Sequence, residues 1–224
     1  MDTMLKLPPK PKSLRDYVES YLRQAIMTGQ YPSGARLVER EVCELLNVSR
    51  PSVREALRKL EAEKLITTIP HRGPVVASIS CAEAKEIYEL RGVLEAHATA
   101  QFTKIASDAE IDELHAAIQK LNAEAKLKDQ PLLLENIRSV YDVILKGCGN
   151  ALIRETLLSL LSRISVLRAT SLSQPNRLPE SLAEIDRMYE LIRARQPEAA
   201  GQSALEHILK AQEVALAVLP RDTN

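Results

Sequence analysis

The sequence predicts a mainly α protein in two parts: a small domain of helices that closes with a β-hairpin, followed by an antiparallel helical bundle. Three observations predict this fold. Hydrophobic residues make up 45% of the 224 residues but aromatic residues only 3%, and the abundant Leu, Ala, Ile, Glu and Arg favour helices. Apolar residues recur at the helical period through most of the chain. One segment, residues 66–79, departs from that period and is predicted to form two short strands around a turn.

The chain opens with a proline-rich arm and one helix. Residues 1–12 carry three prolines among lysines and are predicted to be a flexible arm. Ser13 is a suitable N-cap for a helix that runs to about Thr28 and stops at Gly29. Its predicted buried stripe consists of Val18, Leu22, Ala25 and Ile26.

Two further helices, joined by a tight turn, complete the helical part of this domain. The first covers roughly residues 38–46. Its side chains expected to point inward are Val42, Leu45 and Leu46. The second is capped by Ser49, tolerates Pro51 in its first turn and extends to about Lys64. Its apolar residues fall at i, i+3, i+4 and i+7 and predict one buried face, made of Val53, Ala56, Leu57 and Leu60.

Three arginines, Arg50, Arg54 and Arg58, recur at intervals of four on the opposite face of this third helix. The order helix, helix, turn, helix and hairpin is that of a winged helix-turn-helix, whose third helix enters the major groove of DNA. An arginine there can donate two hydrogen bonds to O6 and N7 of a guanine, whereas other contacts go to phosphates and set the register. The spacing therefore predicts a DNA-reading face.

A solvated helix face is the alternative to DNA binding. In that case Arg54 would pair with Glu61, and Glu55 with Lys59, as ordinary surface charges. The ridge, however, follows a turn and an N-cap and precedes a hairpin with a basic tip, residues 70–73. These three features together favour DNA.

The charge balance bears on other functions. The formal net charge is zero, yet residues 1–78 hold 13 Lys and Arg against 9 Asp and Glu, whereas residues 79–224 hold 17 against 21. A non-specific architectural DNA binder would need a strong basic excess over the whole chain, which this composition lacks. An enzyme is not predicted, because the sequence shows no nucleophile–base spacing, Gly-rich phosphate loop or carboxylate pair typical of a catalytic cleft.

The cysteines and the apolar segments indicate a cytoplasmic protein without membrane contact. Cys43, Cys81 and Cys148 are odd in number and lack CxxC spacing, which predicts reduced thiols rather than disulfides or a zinc site. The N-terminus has no long apolar core of a signal peptide. The richest apolar segment, residues 151–167, is interrupted by Arg154 and Arg163 and is not expected to span a bilayer.

From Ser80 onward every segment has a helical pattern, and short breaks separate six predicted helices that form a bundle. Their approximate ranges are 80–105, 108–128, 132–147, 151–172, 178–195 and 197–218.

The N-terminal residues resemble the DNA-binding domain of GntR-type bacterial transcription regulators. The resemblance covers about sixty residues and rests on "PSGARLVEREVCELLNVSRPSVREALRKLEAEKLI" followed by "HRGPVV". Two departures are small: Pro51 precedes Ser52, and Lys64 stands where a glycine is common. The resemblance implies base reading by Arg50 and Arg54 and entry of the wing tip into the adjacent minor groove. The full set of implied DNA contacts is Arg40, Ser49, Arg50, Ser52, Arg54, Arg58, His71, Arg72 and Gly73, with Arg58 either a phosphate contact or plain surface.

The C-terminal residues resemble the FadR C-terminal, or FCD, domain. The similar stretches are "EIYELRGVLEAHATA", "LKGCGNALI" and "ARQPEAAGQSALEH". Six helices rather than seven resemble the VanR-like subgroup. A sugar-sensing domain would need strands, and an aminotransferase-like domain a longer chain.

Many FCD domains hold a divalent metal through one Asp and three His. The resemblance places those ligands at Ile137, Tyr141, Ile185 and His207, so only the last is retained. One His and one Tyr are a poor set of ligands for zinc or nickel, and no metal cofactor is expected. A register shift of one residue would instead bring Asp142 inward.

The bundle is still expected to hold a small organic acid. Arg91 could meet a carboxylate as a fork, and Tyr141 shares an inward face with Ile137, Ile144 and Cys148. Further candidates are Arg138, Arg163 and His207. Structural roles compete with these assignments: Tyr141 and His207 could be ordinary core residues, and Arg91 could be the partner of Glu95 one turn away.

The predicted protein is a transcription regulator in four segments: an arm (1–12), a DNA-binding domain (13–78), an effector-binding and dimerisation domain (79–220) and a tail (221–224). We expect a homodimer that binds double-stranded operator DNA with an inverted repeat, represses in the absence of effector and responds to a small carboxylate.

Overall fold

A computed structural model describes residues 13–127 and 129–219 of the chain. These residues form two compact units, one ending at Ser78 and the other beginning at Ile79. The predicted arm, residues 1–12, and the predicted tail, residues 221–224, lie outside the described residues. No helix of the described part is long and apolar enough to cross a membrane.

The first unit contains three helices and one hairpin. The elements are α1 (Leu14–Met27), α2 (Glu39–Leu46), α3 (Arg50–Ala62), β1 (Ile66–Ile69) and β2 (Gly73–Val76). The Ser13 hydroxyl caps α1 by accepting a hydrogen bond from the Asp16 amide at 3.1 Å. The predicted inward stripes of α1 and α3 are buried, and Val18, Leu22, Val53 and Leu60 have no exposed area.

Two local predictions on α2 and α3 were wrong. Leu45 is 50% exposed, because the eight-residue α2 buries only the narrow stripe that Val42 and Leu46 share one turn apart. Ser49 occupies the N-cap position of α3 in extended conformation, but its hydroxyl contacts the Ser52 hydroxyl at 3.1 Å instead of capping a backbone amide. The α2–α3 turn is instead built by Asn47, which adopts the left-handed conformation that an Asn tolerates (φ 51°).

The hairpin forms at the predicted place. β1 and β2 pair antiparallel from Ile66–Val76 to Ile69–Gly73. The connector after α1 joins this sheet, since the Leu37 amide donates to the Pro74 carbonyl at 2.9 Å. Hydrogen bonds thus hold β2 to β1 on one side and to the connector on the other. The tip of the hairpin, residues 70–72, projects from this fixed strand pair.

The second unit is entirely helical in its described residues, with seven α-helices. They are α4 (Cys81–Ile105), α5 (Asp108–Glu124), α6 (Gln130–Gly147), α7 (Ala151–Ser159), α8 (Leu161–Leu172), α9 (Arg177–Arg193) and α10 (Pro197–Val218), with one 3-10 turn at Ala125–Leu127. The most extensive helix–helix packing in this unit is between α10 and α4. Gly201 permits this contact, because a Cβ there would lie 3.0 Å from the Ala96 carbonyl oxygen.

The prediction of a single helix over residues 151–172 was wrong. The backbone breaks at Leu160 (φ −99°, ψ −3°), whose amide bonds back to Leu157 at 3.2 Å in a tighter turn. Neither Gly nor Pro marks the break, so the sequence pattern could not show it. The bundle consequently has seven helices, and the count of six, on which the resemblance to the VanR-like subgroup rested, does not hold.

Gly147, the last residue of α6, is a point where packing leaves no room for a methyl group. A Cβ at this position would lie 2.6 Å from the ring of Phe102, which is fully buried and cannot move aside. We expect Gly147→Ala to lower the free energy of unfolding by ~1–3 kcal/mol through overpacking, although Ala in a helix normally stabilises.

Chemical denaturation of the two variants Gly147→Ala and Gly92→Ala checks this prediction. Gly92 is also helical and buried, but the one tight contact of its added Cβ would be the end of the flexible Leu205 side chain at 3.0 Å, with Ile208 at an ordinary 3.9 Å. Gly92→Ala should therefore be close to neutral, and equal destabilisation by both variants would contradict the role assigned to Phe102.

Candidate functional sites: a basic helix face and a buried arginine cluster

The outer face of α3 carries the three arginines at consecutive turns. Arg50, Arg54 and Arg58 are all exposed, whereas Val53 and Leu60 on the opposite face are fully buried. The apolar stripe thus fixes the orientation of the helix, and the cations point away from the core of their unit, as the spacing predicts.

Arg54 is the arginine that the structure holds in place. Its Nε contacts both carboxylate oxygens of Glu39, at 2.9 and 3.1 Å, while its two Nη atoms donate no hydrogen bond within the described part of the chain. In the described residues, α3 does not form the surface ion pairs that a solvated helix face would give. Lys59 binds Glu19 at 2.6 Å instead. A guanidinium held through Nε keeps its outer pair of donors available for an external acceptor.

Smaller polar groups surround the N-terminal end of α3. Ser49 is exposed, Ser52 is half-buried, and Arg40 projects from α2 with 71% of its side chain exposed. Helix N-termini present unpaired amide groups, which favour phosphate oxygens. Ser49 and Ser52 therefore lie at one accessible helix end.

The hairpin tip is exposed and has a constrained backbone. His71 and Gly73 both have positive φ angles, 63° and 84°, and Arg72 donates to the Gly34 carbonyl at 3.2 Å. A side chain larger than hydrogen at residue 73 would be strained there. The tip thus presents the His71 and Arg72 side chains on a narrow turn, a shape that suits a groove.

The interior of the second unit contains two buried ion pairs. Arg91 donates to Glu95 at 2.8 Å, one turn apart on α4, as their spacing allows. Glu184 on α9 accepts from Arg177 at 2.8 Å and contacts His207 Nδ1 at 2.6 Å. Burial opposes ionisation of Glu184, but the hydrogen bonds from His207 and Arg177 outweigh it and lower its pKa to about 2.

The four positions of the expected metal site are all buried. They are Ile137, Tyr141, Ile185 and His207, and the rings of Tyr141 and His207 lie 6.4 Å apart. Two of the four are isoleucines, and the ring nitrogen Nδ1 of His207 is engaged by Glu184. Within residues 13–127 and 129–219, no group of three or more His, Cys, Asp or Glu side chains could hold a metal ion. The residues present do not fit a metal.

Asp142 does not take the inward place that a register shift would give it. Its carboxylate binds Lys146 at 2.6 Å and Arg154 at 3.1 Å, and a third of the side chain is exposed. These two cations lower the pKa of Asp142 against the opposing effect of burial.

Arg168 on α8 is a functional candidate that the sequence analysis missed. It is 9% exposed, its guanidinium carbon lies 5.0 Å from the centre of the Tyr141 ring, and no described residue gives it a hydrogen bond or a carboxylate partner. Burial, and secondarily the charge of Arg91, lower the pKa of Arg168. Its position among Ile164, Leu167 and Ser171, the inward stripe of α8, could have identified it, because a charge in such a stripe requires a reason.

Two cavities meet at Arg168. The larger, of ≈ 190 Å³, lies between helices α4, α6, α7 and α8. It is lined by Glu95, Arg138, Ser139, Tyr141, Asp142, Leu145, Arg154, Leu157, Leu158, Leu161, Ile164 and Arg168. The smaller, of ≈ 10 Å³, is lined by Arg91, Ile137, Arg177 and His207 among others. The smaller cavity is the one at the expected metal position, and it has room for about one water molecule.

The predicted effector residues divide between these spaces. Arg138 is exposed and lines the larger cavity, whereas Arg91 and His207 line the smaller one, and Tyr141 separates them as part of the larger wall. Arg163 lines neither cavity and binds Glu83 at 2.8 Å. Four of the five predicted effector residues thus line one of the two cavities, whereas Arg168, which lines both, was not predicted.

A winged helix-turn-helix with an outward arginine ridge, followed by a helical unit with interior cavities, defines a DNA-binding transcription regulator. Family comparison agrees: residues 14–76 match the bacterial regulatory proteins of the gntR family, and residues 86–210 match the FCD domain. The chain belongs to the GntR family of transcription regulators, with an FCD domain as its C-terminal part.

Similar proteins cover nearly the whole chain. The uncharacterized HTH-type transcriptional regulator YdhC of Bacillus subtilis is 24% identical over 209 residues, with 92% of each chain covered. The HTH-type transcriptional repressor NanR of Citrobacter rodentium is 27% identical over 225 residues, covering 90% of this chain and 85% of NanR. The structure of McbR/YncC from E. coli superposes with a TM-score of 0.76 at 21% identity, covering 92% of this chain and 98% of that one, which confirms the fold.

The buried His207–Glu184 pair predicts a loss of stability in acid. Burial holds the pKa of His207 below its ordinary value of 6.5, so below that pH the unfolded chain takes up a proton that the folded chain resists. The free energy of unfolding should therefore fall as the pH drops below about 6.5. A second fall should follow between pH 4.5 and about 2, where Glu184 loses its charge.

Urea unfolding at a series of pH values tests this prediction. His207→Gln should flatten the first fall and make the second smaller, because His207 helps to lower the pKa of Glu184. His97→Gln, which changes an exposed histidine on α4, should leave both unchanged. A first fall that persists in full in His207→Gln would show that another group causes it.

Proposed function

We propose that this protein is a sequence-specific repressor that binds an inverted-repeat operator as a homodimer and is controlled by a small carboxylate bound in its helical bundle. The observation that carries the DNA-reading part is the arginine ridge of α3, whose middle member is held by Glu39 through Nε alone.

The geometry of Arg54 suits base recognition. A guanidinium that reads guanine needs two parallel donors aimed at O6 and N7. Because Glu39 binds Nε of Arg54, rotation of the Arg54 side chain is restricted. Its two Nη atoms therefore keep pointing side by side in one direction. Holding the side chain before DNA arrives reduces the ordering cost of binding. Arg50, one turn nearer the helix N-terminus, is the second proposed base reader.

Other residues are proposed to fix the position of the protein on the duplex. Contacts to phosphates set register without reading sequence, and short hydroxyls and exposed cations suit them. Arg40, Ser49, Ser52 and Arg58 have these properties around the α3 N-terminus and along its ridge. The hairpin tip, with His71, Arg72 and Gly73, would enter the neighbouring minor groove.

The proposed dimer is supported by the small size of the DNA-contacting surface of one α3, and the proposed repression by a named relative. A single α3 contacts few base pairs, so two copies related by two-fold symmetry are needed to select a rare site, and they would read an inverted repeat. The relative NanR is named a repressor, and a dimer that covers its operator blocks access by other proteins. We propose repression without effector and release upon effector binding.

Control by a carboxylate is supported by the excess of buried donors. The two ion pairs engage Nε of Arg91 and one nitrogen of Arg177, whereas Nε and Nη1 of Arg177 are buried without a hydrogen-bond partner in the described residues. Arg168 lines both cavities and forms no salt bridge in the described residues. An anion is the ligand that such donors favour. A ligand changes DNA binding only if it binds the competent and incompetent states with different affinity.

The Arg50→Ala/Arg54→Ala double variant tests base reading. Each lost bidentate contact costs ~1–3 kcal/mol, so binding to the operator should weaken by ~2 kcal/mol or more, about 30-fold, while binding to unrelated DNA changes much less. Fluorescence anisotropy with both duplexes at constant salt measures the two affinities. Arg15→Ala, which removes an exposed cation from α1, is the matched control and should behave like wild type. Equal operator binding by the double variant and wild type would rule out the proposed ridge.

Operator spacing tests the dimer. Inserting about five base pairs between the half-sites rotates them by half of the ~10.5 bp turn onto opposite faces, and binding should fall about tenfold or more. Inserting about ten base pairs restores the face and should recover more affinity than the shorter insertion. Affinity that is insensitive to both insertions would indicate independent monomers.

A further inference from the structure

We propose that the ≈ 190 Å³ cavity lined by α4, α6, α7 and α8 binds a small apolar monocarboxylic acid, with Arg168 as the carboxylate anchor. The cavity adjoins the metal-equivalent position, since Tyr141 belongs to both and Arg168 lines both cavities. The claim that this acid is the effector rests on the proposed function, whereas the claim that it binds does not.

Space decides between the two cavities. The cavity beside Ile137 and His207 has ≈ 10 Å³, enough for about one water molecule, and its walls are held by the Arg177–Glu184–His207 contacts. The neighbouring cavity is about the size of an engineered cavity of ~150 Å³ that holds benzene. A ligand with a ring or a chain of comparable size therefore fits the larger space and not the smaller.

Charge decides what the ligand must carry. Five charged side chains line the larger cavity, and the four other than Arg168 are paired or solvated. Glu95 binds Arg91, Asp142 binds Arg154, and Arg138 is exposed. Arg168 alone among these is buried and forms no salt bridge in the described residues, and Glu95, which favours its charged form, is hydrogen-bonded to Arg91. Burying a cation that is not directly paired is costly, and a ligand carboxylate would add the direct partner and accept two parallel hydrogen bonds.

One carboxylate is expected rather than two. Glu95 and Asp142 are salt-bridged acidic side chains in the cavity wall, and a second ligand carboxylate would approach them. An ammonium group would have to compete with the cations that these two carboxylates already bind. A simple monocarboxylate avoids both conflicts, which sets it apart from dicarboxylic acids and amino acids.

The rest of the cavity suits an apolar body. Its aliphatic wall comes from three helices and consists of Leu145, Leu157, Leu158, Leu161 and Ile164. The Tyr141 hydroxyl, buried and without a partner in the described chain, can donate to a second ligand oxygen, because burial raises the pKa of Tyr141 and keeps it protonated. The ligand is thus held by a polar end at Arg168 and Tyr141 and an apolar end among leucines.

The location suggests how occupancy could change the bundle. Leu157 and Leu158 precede the helix break at Leu160, and Leu161 and Ile164 follow it. A ligand that contacts both sides would fix the relative orientation of α7 and α8, which no continuous helix otherwise imposes. The bound and empty states would then differ in the geometry around this break.

Isothermal titration calorimetry of the full chain, dialysed against a chelator and without DNA, tests the site. Benzoate and hexanoate are the probes, and benzamide and hexanamide are their uncharged counterparts. We expect both acids to bind and each amide to bind at least about tenfold more weakly, since it lacks the charge that Arg168 requires. Phthalate and phenylalanine, a dicarboxylate and an amino acid, should bind more weakly than benzoate.

Variants in each of the two cavities that meet at Arg168 test which cavity holds the ligand. Arg168→Met should weaken benzoate at least about tenfold, and the fold should tolerate it because it removes an unpaired buried charge. Leu158→Trp, at the partly exposed edge, should obstruct the same cavity and weaken binding independently. Ser171→Ala is the matched control: it changes only the smaller cavity, where the Ser171 hydroxyl has no partner, and should bind as wild type.

Each outcome decides the proposal. It is overturned if neither acid binds at millimolar concentration, if Arg168→Met and Leu158→Trp both bind benzoate like wild type, or if Ser171→Ala alone abolishes binding. Preferred binding of phthalate or phenylalanine overturns the ligand class. If the acids bind as expected but the chain does not recognise an inverted repeat, the site stands and the proposed function fails; operator binding without acid binding gives the opposite result.

Discussion

The one-sided burial of α3 is the constraint on which the DNA-binding unit depends. Val53, Ala56, Leu57 and Leu60 are buried on one face, so the positions between them must face outward whatever residues occupy them. Placing arginine at every fourth residue of that outer face then produces a continuous cationic ridge. Glu39 and the α2–α3 turn adjust the position of the arginines. They could not direct the ridge outward if α3 were free to rotate about its axis.

The helical unit faces the opposite problem, because its polar residues point inward. Arg91 and Arg177 are 2% exposed, which is tolerable only because Glu95 and Glu184 lie within hydrogen-bonding distance. Arg168 breaks this pattern and rests on the Tyr141 ring, a contact that offsets only part of the desolvation cost of a guanidinium. Residual cost of this kind is a feature of binding sites, where the missing partner is the ligand.

Sequence periodicity predicted the helices, the hairpin and the orientation of the ridge, because each depends on neighbours within one or two turns. It did not predict the break at Leu160 or the exposure of Leu45, because both depend on which surfaces happen to pack together. The candidate site shows the same division. The i, i+4 spacing indicated Arg91 with Glu95. Arg177 and Glu184 share a face of α9 but lie two turns apart, so their contact depends on side-chain conformation, and Arg168 with Tyr141 joins two helices and leaves no local signal.

The replacement of metal ligands by isoleucines has a consequence for how the bundle can be regulated. Where a resemblance to FCD domains implies a divalent cation, the buried Ile137 and Ile185 offer no ligand atom. The guanidinium groups of Arg91, Arg168 and Arg177 line the small cavity beside Ile137. A guanidinium stays protonated at any physiological pH and cannot be removed by a chelator, whereas a metal can be exchanged or lost. Under the proposed function, such a bundle would not depend on metal supply. Its response would be set by the shape and charge of the anion that Arg168 is proposed to bind, because a planar carboxylate can accept two parallel hydrogen bonds from a guanidinium.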